Sequence, residues 1–220
     1  MACTLRHRLA VWAIRAVQRL GPRRVRVRGL PFRISRHVFN PKYYGTSRLM
    51  ARHIVVGEGD LVLDMGTGSG IQAVAAARRG ARVVAVDIVA EAAWCALANV
   101  RANGVADAVG VVQGDLFGPL APRGDFSAIL FTPPYLEGTP RGALDHALHD
   151  PGRALLRCFF GEAGAYLRPG AYVQIVYSSV AGVGEALAIA EGLGWEAREV
   201  GRRRVFGESL VVYRLTPVRS

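Results

Sequence analysis

Four short apolar runs, Leu61–Met65, Arg82–Asp87, Ala108–Gln113 and Phe126–Phe131, each end at a glycine, an acid or a proline-bearing turn. Runs of this length without polar alternation are those of strands buried on both faces. Ile71–Arg79 and Ala90–Asn103 fill the first two gaps as helices, with glycine stops at Gly80 and Gly104. Further on, helices over roughly Gly152–Leu167 and over Gly182–Leu193 alternate with strands over Ala171–Tyr177 and Ser209–Leu215. Val25–Val27 and Phe32–Ser35 read as a small hairpin ahead of them. Strand–helix alternation with right-handed crossovers predicts an α/β chain with a mostly parallel, doubly wound sheet and helices on both faces. In such sheets ligands bind beyond the carboxyl ends of the strands, where the strand order reverses. With 220 residues, 51% of them apolar, the chain suits one domain. A domain of that size buries about 70% of its unfolded surface and needs no disulfide or metal staple.

The segment after the first of those strands is Asp64-Met65-Gly66-Thr67-Gly68-Ser69-Gly70. Gly66 and Gly68 let the backbone approach a ligand closely. Gly70 opens the next helix, whose first amides favour a carboxylate. A dinucleotide-binding turn would place glycine where Ile71 stands, which argues against a nicotinamide cofactor. Asp64 offers a negative charge to an ammonium. Asp87, ending the second strand, can accept hydrogen bonds from two ribose hydroxyls. Asp115, in Gly114-Asp115-Leu116-Phe117 after the third strand, can accept from an adenine amino group, with Leu116 against the ring. The fourth strand runs into Thr132-Pro133-Pro134-Tyr135, a corner able to hold a planar nitrogen. Together the two segments point to methyl transfer from S-adenosyl-L-methionine.

At these residues the chain resembles the class I methyltransferases, and more narrowly the HemK-like group, which includes the release-factor glutamine and amino N-methyltransferases. The resemblance runs from about His37 to Pro217. Besides the two segments above, it rests on Val38-Phe39-Asn40-Pro41 followed by Gly45-Thr46, and on the closing Gly207-Glu208-Ser209-Leu210-Val211-Val212. It implies a seven-stranded, Rossmann-like sheet. It also implies cofactor contacts from Thr46, Asp64, Gly66, Thr67, Gly68, Gly70, Asp87, Ile88, Asp115, Leu116 and Thr132, with Gly45-Thr46 on a loop covering the cofactor. The acceptor site would be Thr132, Pro133, Pro134 and Tyr135. The family usually has Asn where this chain has Thr132. The Asn side-chain carbonyl and the first proline's carbonyl there accept both hydrogens of a target amino group, while the tyrosine packs on its plane. Thr132 is shorter, and its hydroxyl both donates and accepts. Three outcomes fit that change: N-methylation of a protein amide or a nucleobase, transfer to a different acceptor such as a small metabolite, or cofactor binding without turnover. In-line displacement at a sulfonium discharges the cation, so no metal and no general base is assigned.

The charge is uneven. Residues 1–57 carry 13 Arg or Lys and no acid, whereas the remainder carries 15 basic and all 17 acidic residues. Residues 1–36 therefore read as a basic helix and hairpin ahead of a domain over residues 37–220. The helix is drawn by Leu5, Leu9, Trp12, Ala16 and Leu20 at spacings of three and four. Such an arm suits an acidic partner, such as RNA, DNA or an acidic protein. Since 27 of the 28 basic residues are Arg, GC-rich coding explains it equally well. No apolar run reaches the roughly 18 residues needed to cross a membrane. Cys3, Cys95 and Cys158 form no paired motif and fit reduced thiols. The expected place is the cytoplasm, or the mitochondrion if the acid-free start is a eukaryotic transit peptide. Asp145, His146, His149 and Asp150 fall in the loop Leu136–Pro151, as a substrate lid, a proton relay or a metal cluster. No Cys or further His completes a ligand set there, and the metal expectation is none. Tyr43 and Tyr44 either close over the site or pack. Arg202-Arg203-Arg204 reads as a solvated turn or a phosphate contact.

Overall fold

The computed structural model describes residues 18, 20–42, 45–139, 142–179, 181–205 and 207–218. The leading helix and the Tyr43-Tyr44 pair of the sequence reading lie almost wholly outside them. Strands β1 (Arg24–Val27) and β2 (Leu30–Arg33) form the expected hairpin, in which Arg24 pairs with Arg33 and Val27 with Leu30. The main sheet has seven strands: β3 (Leu61–Met65), β4 (Arg82–Asp87), β5 (Val109–Gln113), β6 (Phe126–Phe131), β7 (Leu167–Ser178), β8 (Trp195–Val205) and β9 (Glu208–Pro217). Their spatial order is β5-β4-β3-β6-β7-β9-β8, and only the pairings β7–β9 and β9–β8 are antiparallel. The chain winds outward from β3 to β5 and then returns to lay β6 on the other side of β3. That reversal opens a crevice between the ends of β3 and β6.

Six α-helices cover the sheet among the described residues: α1 (Gly45–Arg52), α2 (Ile71–Ala77), α3 (Ala90–Ala102), α4 (Ala143–His146), α5 (Ala154–Ala163) and α6 (Val183–Gly192). Alternate strand residues feed two cores. Val62, Ala128 and Val212 pack with α1, α2, α3 and the hairpin on one face. Leu63, Met65, Ile129 and Ile175 pack with α5 and α6 on the other. Asn99 of α3 is fully buried and binds three backbone groups: the Arg33 amide (2.7 Å), the Arg33 carbonyl (2.8 Å) and the Ser69 carbonyl (2.9 Å). One side chain thus fixes the hairpin and the glycine loop to the same helix.

The structure departs from the sequence reading in three places. Strand β8 was not expected, because its run of Glu and Arg shows no buried alternation. It forms the sheet's edge, where all its residues but Trp195 are half-buried or exposed. The single helix expected over residues 152–167 is α5 flanked by 3-10 turns at Pro151–Arg153 and Gly164–Tyr166. Gly45 and Thr46 begin helix α1 rather than lying on a loop. Leu49, Met50 and Ala51 bury that helix, and Gln174 and Arg214 hold its end through the Met50 carbonyl (3.3 Å) and the His53 carbonyl (2.6 Å).

Candidate active site

A cavity of about 510 Å³ lies over the carboxyl ends of β3, β4, β5 and β6, inside the roughly 300–1,000 Å³ range of cofactor and small-molecule sites. Asp64, near the end of β3, is 1% exposed. One of its oxygens accepts both the Thr67 hydroxyl (2.6 Å) and the Ala73 amide (3.0 Å). Burial pushes its carboxyl up to about 7 against those two bonds, and the nearby Asp87 charge adds to the rise. Asp87 itself is buried at the end of β4. Its two oxygens accept the Gly68 amide (2.9 Å) and the Val89 amide (3.0 Å), yet burial still raises it above the ordinary carboxylate range. Two buried carboxylates therefore face one cavity, and neither has an ion-pair partner among the described residues.

Gly66, Thr67 and Gly68 line this end, together with Ile88, Asp115 and Leu116. Thr46 reaches it from α1. Gly70 is the one residue of the expected cofactor set that is not on the wall. Its φ is +76°, and a Cβ there would sit 3.1 Å from the Ala96 Cα, so its role is the close packing of the loop on α3. The start of α2 still faces the cavity through Ile71 and Gln72.

Thr132, Pro133, Pro134 and Tyr135 follow β6 and line the same cavity. The amides of Tyr135 and Leu136 donate to the Leu148 carbonyl, at 3.2 and 2.8 Å. The Arg153 guanidinium donates to the Tyr135 carbonyl at 2.7 Å and pairs with Glu185 at 3.0 Å. Arg153 is 5% exposed and has a left-handed backbone. The Tyr135 ring lies 6.5 Å from that of Tyr177 at 51°, and burial raises both phenols above the usual tyrosine range. The corner is therefore a neutral aromatic wall with a fixed backbone. Nothing in the order of residues marked Arg153 or Tyr177 for that task.

The Asp145–Asp150 cluster does not act as a unit. The Asp150 carboxylate accepts the Leu155 and Leu156 amides (2.9 and 3.1 Å) and so caps the start of α5. His149 pairs with Leu136 through a backbone bridge, and only His146 of the four lines the cavity. No group of three His, Cys, Asp or Glu able to hold a metal occurs among the described residues. Arg48 on α1 also lines the cavity and was not singled out in the sequence; Arg203 lies in strand β8 rather than in the turn expected for Arg202-Arg203-Arg204, and with Glu208 on β9 it reaches the same cavity. The Glu208 carboxylate accepts the Ser178 hydroxyl. Burial, with Arg203 and then Arg52 nearby, holds Arg48 below the usual guanidinium range.

Residues 35–195 match the methyltransferase small domain family. The chain belongs to that family. It is 31% identical over 195 residues to a Methanocaldococcus jannaschii chain described as a protein N5-glutamine methyltransferase, covering 86% of this chain and 96% of that one. It is 38% identical over 130 residues to the release factor glutamine methyltransferase of Gloeobacter violaceus, covering 53% of this chain and 45% of that protein. The E. cuniculi Mtq2–Trm112 complex has the same fold, with a TM-score of 0.57 at 20% identity over 83% of this chain and 99% of that one. The protein is thus a methyltransferase with the class I fold, and its cofactor is S-adenosyl-L-methionine. The cavity fits that group: two buried acids without a counter-ion suit a ligand bringing a cation and hydroxyl donors. No helix among the described residues is long and apolar enough to cross a membrane.

Proposed function

We propose that this methyltransferase methylates a planar nitrogen of a protein side chain, with the glutamine amide as the acceptor. The observation that carries the reading is the convergence of the Thr132-Pro133-Pro134-Tyr135 corner and the Asp64–Asp87 pair on one cavity. It is supported by the near full-length relative described as an N5-glutamine methyltransferase. S-adenosyl-L-methionine, when bound, supplies the methyl group as a sulfonium.

Asp87 takes the ribose hydroxyls on the lone pairs that Gly68 and Val89 leave free. Asp64 balances the ammonium, Asp115 accepts from the adenine amino group, and Ile88 and Leu116 flank the ring. Thr46 and the loop Gly66–Gly68 close over the remainder. At the other end, the Thr132 hydroxyl and the Pro133 carbonyl accept the amide hydrogens, and the Tyr135 ring holds the amide plane. Orientation of this kind supplies about 7–11 kcal/mol, more than the roughly 3–5 kcal/mol of a general base, and the proton leaves to water.

The arginines of residues 1–36, whose hairpin packs against α3, meet the acceptor protein or its RNA, and residues 37–220 carry the transferase site. Cys95 and Cys158 are free thiols, which suits the reducing cytoplasm. The experiment is labelled-methyl transfer into fractionated cell extract, followed by mass spectrometry of the labelled protein. N5-methylglutamine is the expected product. A label confined to small metabolites, or on a side chain other than an amide, refutes the reading.

A further inference from the structure

The cavity carries opposite charge at its two ends. Asp64 and Asp87 stand on β3 and β4, whereas Arg203 stands on β8, four strands from β3 across β6, β7 and β9. Arg203 pairs with Leu210 in the strand register, and its Nη1 lies 4.0 Å from where a Cβ of Gly45 would be. Arg48, one turn into α1, faces the same space, and its Nε is buried without a hydrogen-bond partner.

No acid is paired with these two arginines. Glu199 is held by Arg202 through two bonds, at 2.9 and 2.5 Å, and Glu208, which lines the same cavity, accepts the Ser178 hydroxyl and forms no ion pair with either arginine. No ion pair among the described residues includes Arg48 or Arg203, and every Asp and Glu of the chain is described. The exposed Arg203 and the half-buried Arg48 repel each other, and an anion arriving between them relieves that repulsion. The planar fork of a guanidinium matches a carboxylate in particular.

We propose that Arg48 and Arg203 form a carboxylate subsite on the acceptor side of the cavity, which takes an acidic side chain neighbouring the methylated residue. The inference rests on the reading of the acceptor as a protein amide. The cofactor's own carboxylate is the competing occupant. The strand order disfavours it, because the glycine loop and Asp64 hold the amino-acid end of the cofactor at β3.

The test uses the full chain saturated with S-adenosylhomocysteine, titrated with glutarate by calorimetry at low salt, where surface screening is weak. Glutarate binding is expected, weakened about tenfold or more in Arg48→Gln and in Arg203→Gln, as for a lost charged hydrogen bond. Absence of glutarate binding, or equal binding in the variants, overturns the subsite. A tenfold loss of S-adenosylhomocysteine affinity in both variants also overturns it, assigning the pair to the cofactor.

A second arm measures labelled-methyl transfer to peptides with one glutamine flanked by glutamate or by alanine. Preference for the glutamate peptide, abolished in Arg203→Gln, is the expected result, and equal rates overturn the acidic-neighbour assignment. Transfer to no peptide, with glutarate binding still dependent on both arginines, keeps the subsite and removes the amide acceptor instead.

Discussion

Asp64 ties the stability of the protein to pH, the proposed ammonium contact would tie it to the cofactor as well, and a single substitution separates the two. With its folded carboxyl near 7 and its unfolded value near 3.8, the folded state holds a proton that the unfolded state releases. A folded-state value raised above the unfolded one gives stability that is complete below about pH 4 and is lost as pH rises through 7. Between pH 5 and pH 8 that loss integrates to roughly 2–3 kcal/mol, at about 1.4 kcal/mol per unit of difference. Asp64→Asn removes the titration. Its amide oxygen can still accept the Thr67 hydroxyl and the Ala73 amide, so the loop keeps both bonds. The variant without cofactor should therefore be more stable than the wild type at pH 8, with little difference at pH 5, in urea unfolding followed by circular dichroism. Cofactor binding should move the other way. An ammonium beside Asp64 favours the carboxylate, so binding at pH 6 should release close to one proton from the wild type and little at pH 8. Calorimetry in buffers of different ionisation enthalpy counts those protons. Parallel pH slopes for the two proteins, or no proton release at pH 6, would refute the argument.

Substitutions at three other positions probe the site and the packing beside it. Asp87→Ala should weaken S-adenosylhomocysteine binding by roughly 1.5–3 kcal/mol per charged hydrogen bond lost, and unchanged calorimetric affinity would remove the ribose assignment. Thr132→Ala should lower turnover far more than cofactor affinity, and Thr132→Asn should raise the rate on an amide by restoring a longer carbonyl acceptor. Wild-type kinetics in both variants would take Thr132 out of the acceptor site. Gly201→Ala would drive a methyl into the His53 ring and should cost about 1–3 kcal/mol by overpacking. A urea midpoint equal to the wild type would show that the His53 ring swings aside freely.

The parts of the site that could be read from the sequence are those where a backbone requirement and a chemical role coincide in a few consecutive residues. Gly66 to Gly70, Asp87 at a strand end and Thr132 to Tyr135 are of that kind, and the structure brings all but Gly70 to one cavity wall. Gly70 shows the limit of such reading. Its glycine is demanded by a left-handed turn and by Ala96 of a later helix. Asp150 is a similar case: next to two histidines it resembles a functional cluster, but its oxygens are used on the amides of α5. Strand β8 and helix α1 escaped notice because edge strands and short helices leave weak periodicity.

Local pattern, then, determined the alternation of strands and helices, the buried parallel sheet and the two loops at its carboxyl ends, because burial and turn chemistry act over a few neighbouring residues. The tertiary structure alone decided the rest. Strand order sets Arg203 beside Arg48, although 155 residues separate them in the chain. Burial in the folded sheet, which no local run of residues specifies, raises Asp64 to about 7. Charge and proton affinity depend on what surrounds a group in space, and that surrounding exists only once distant segments have packed.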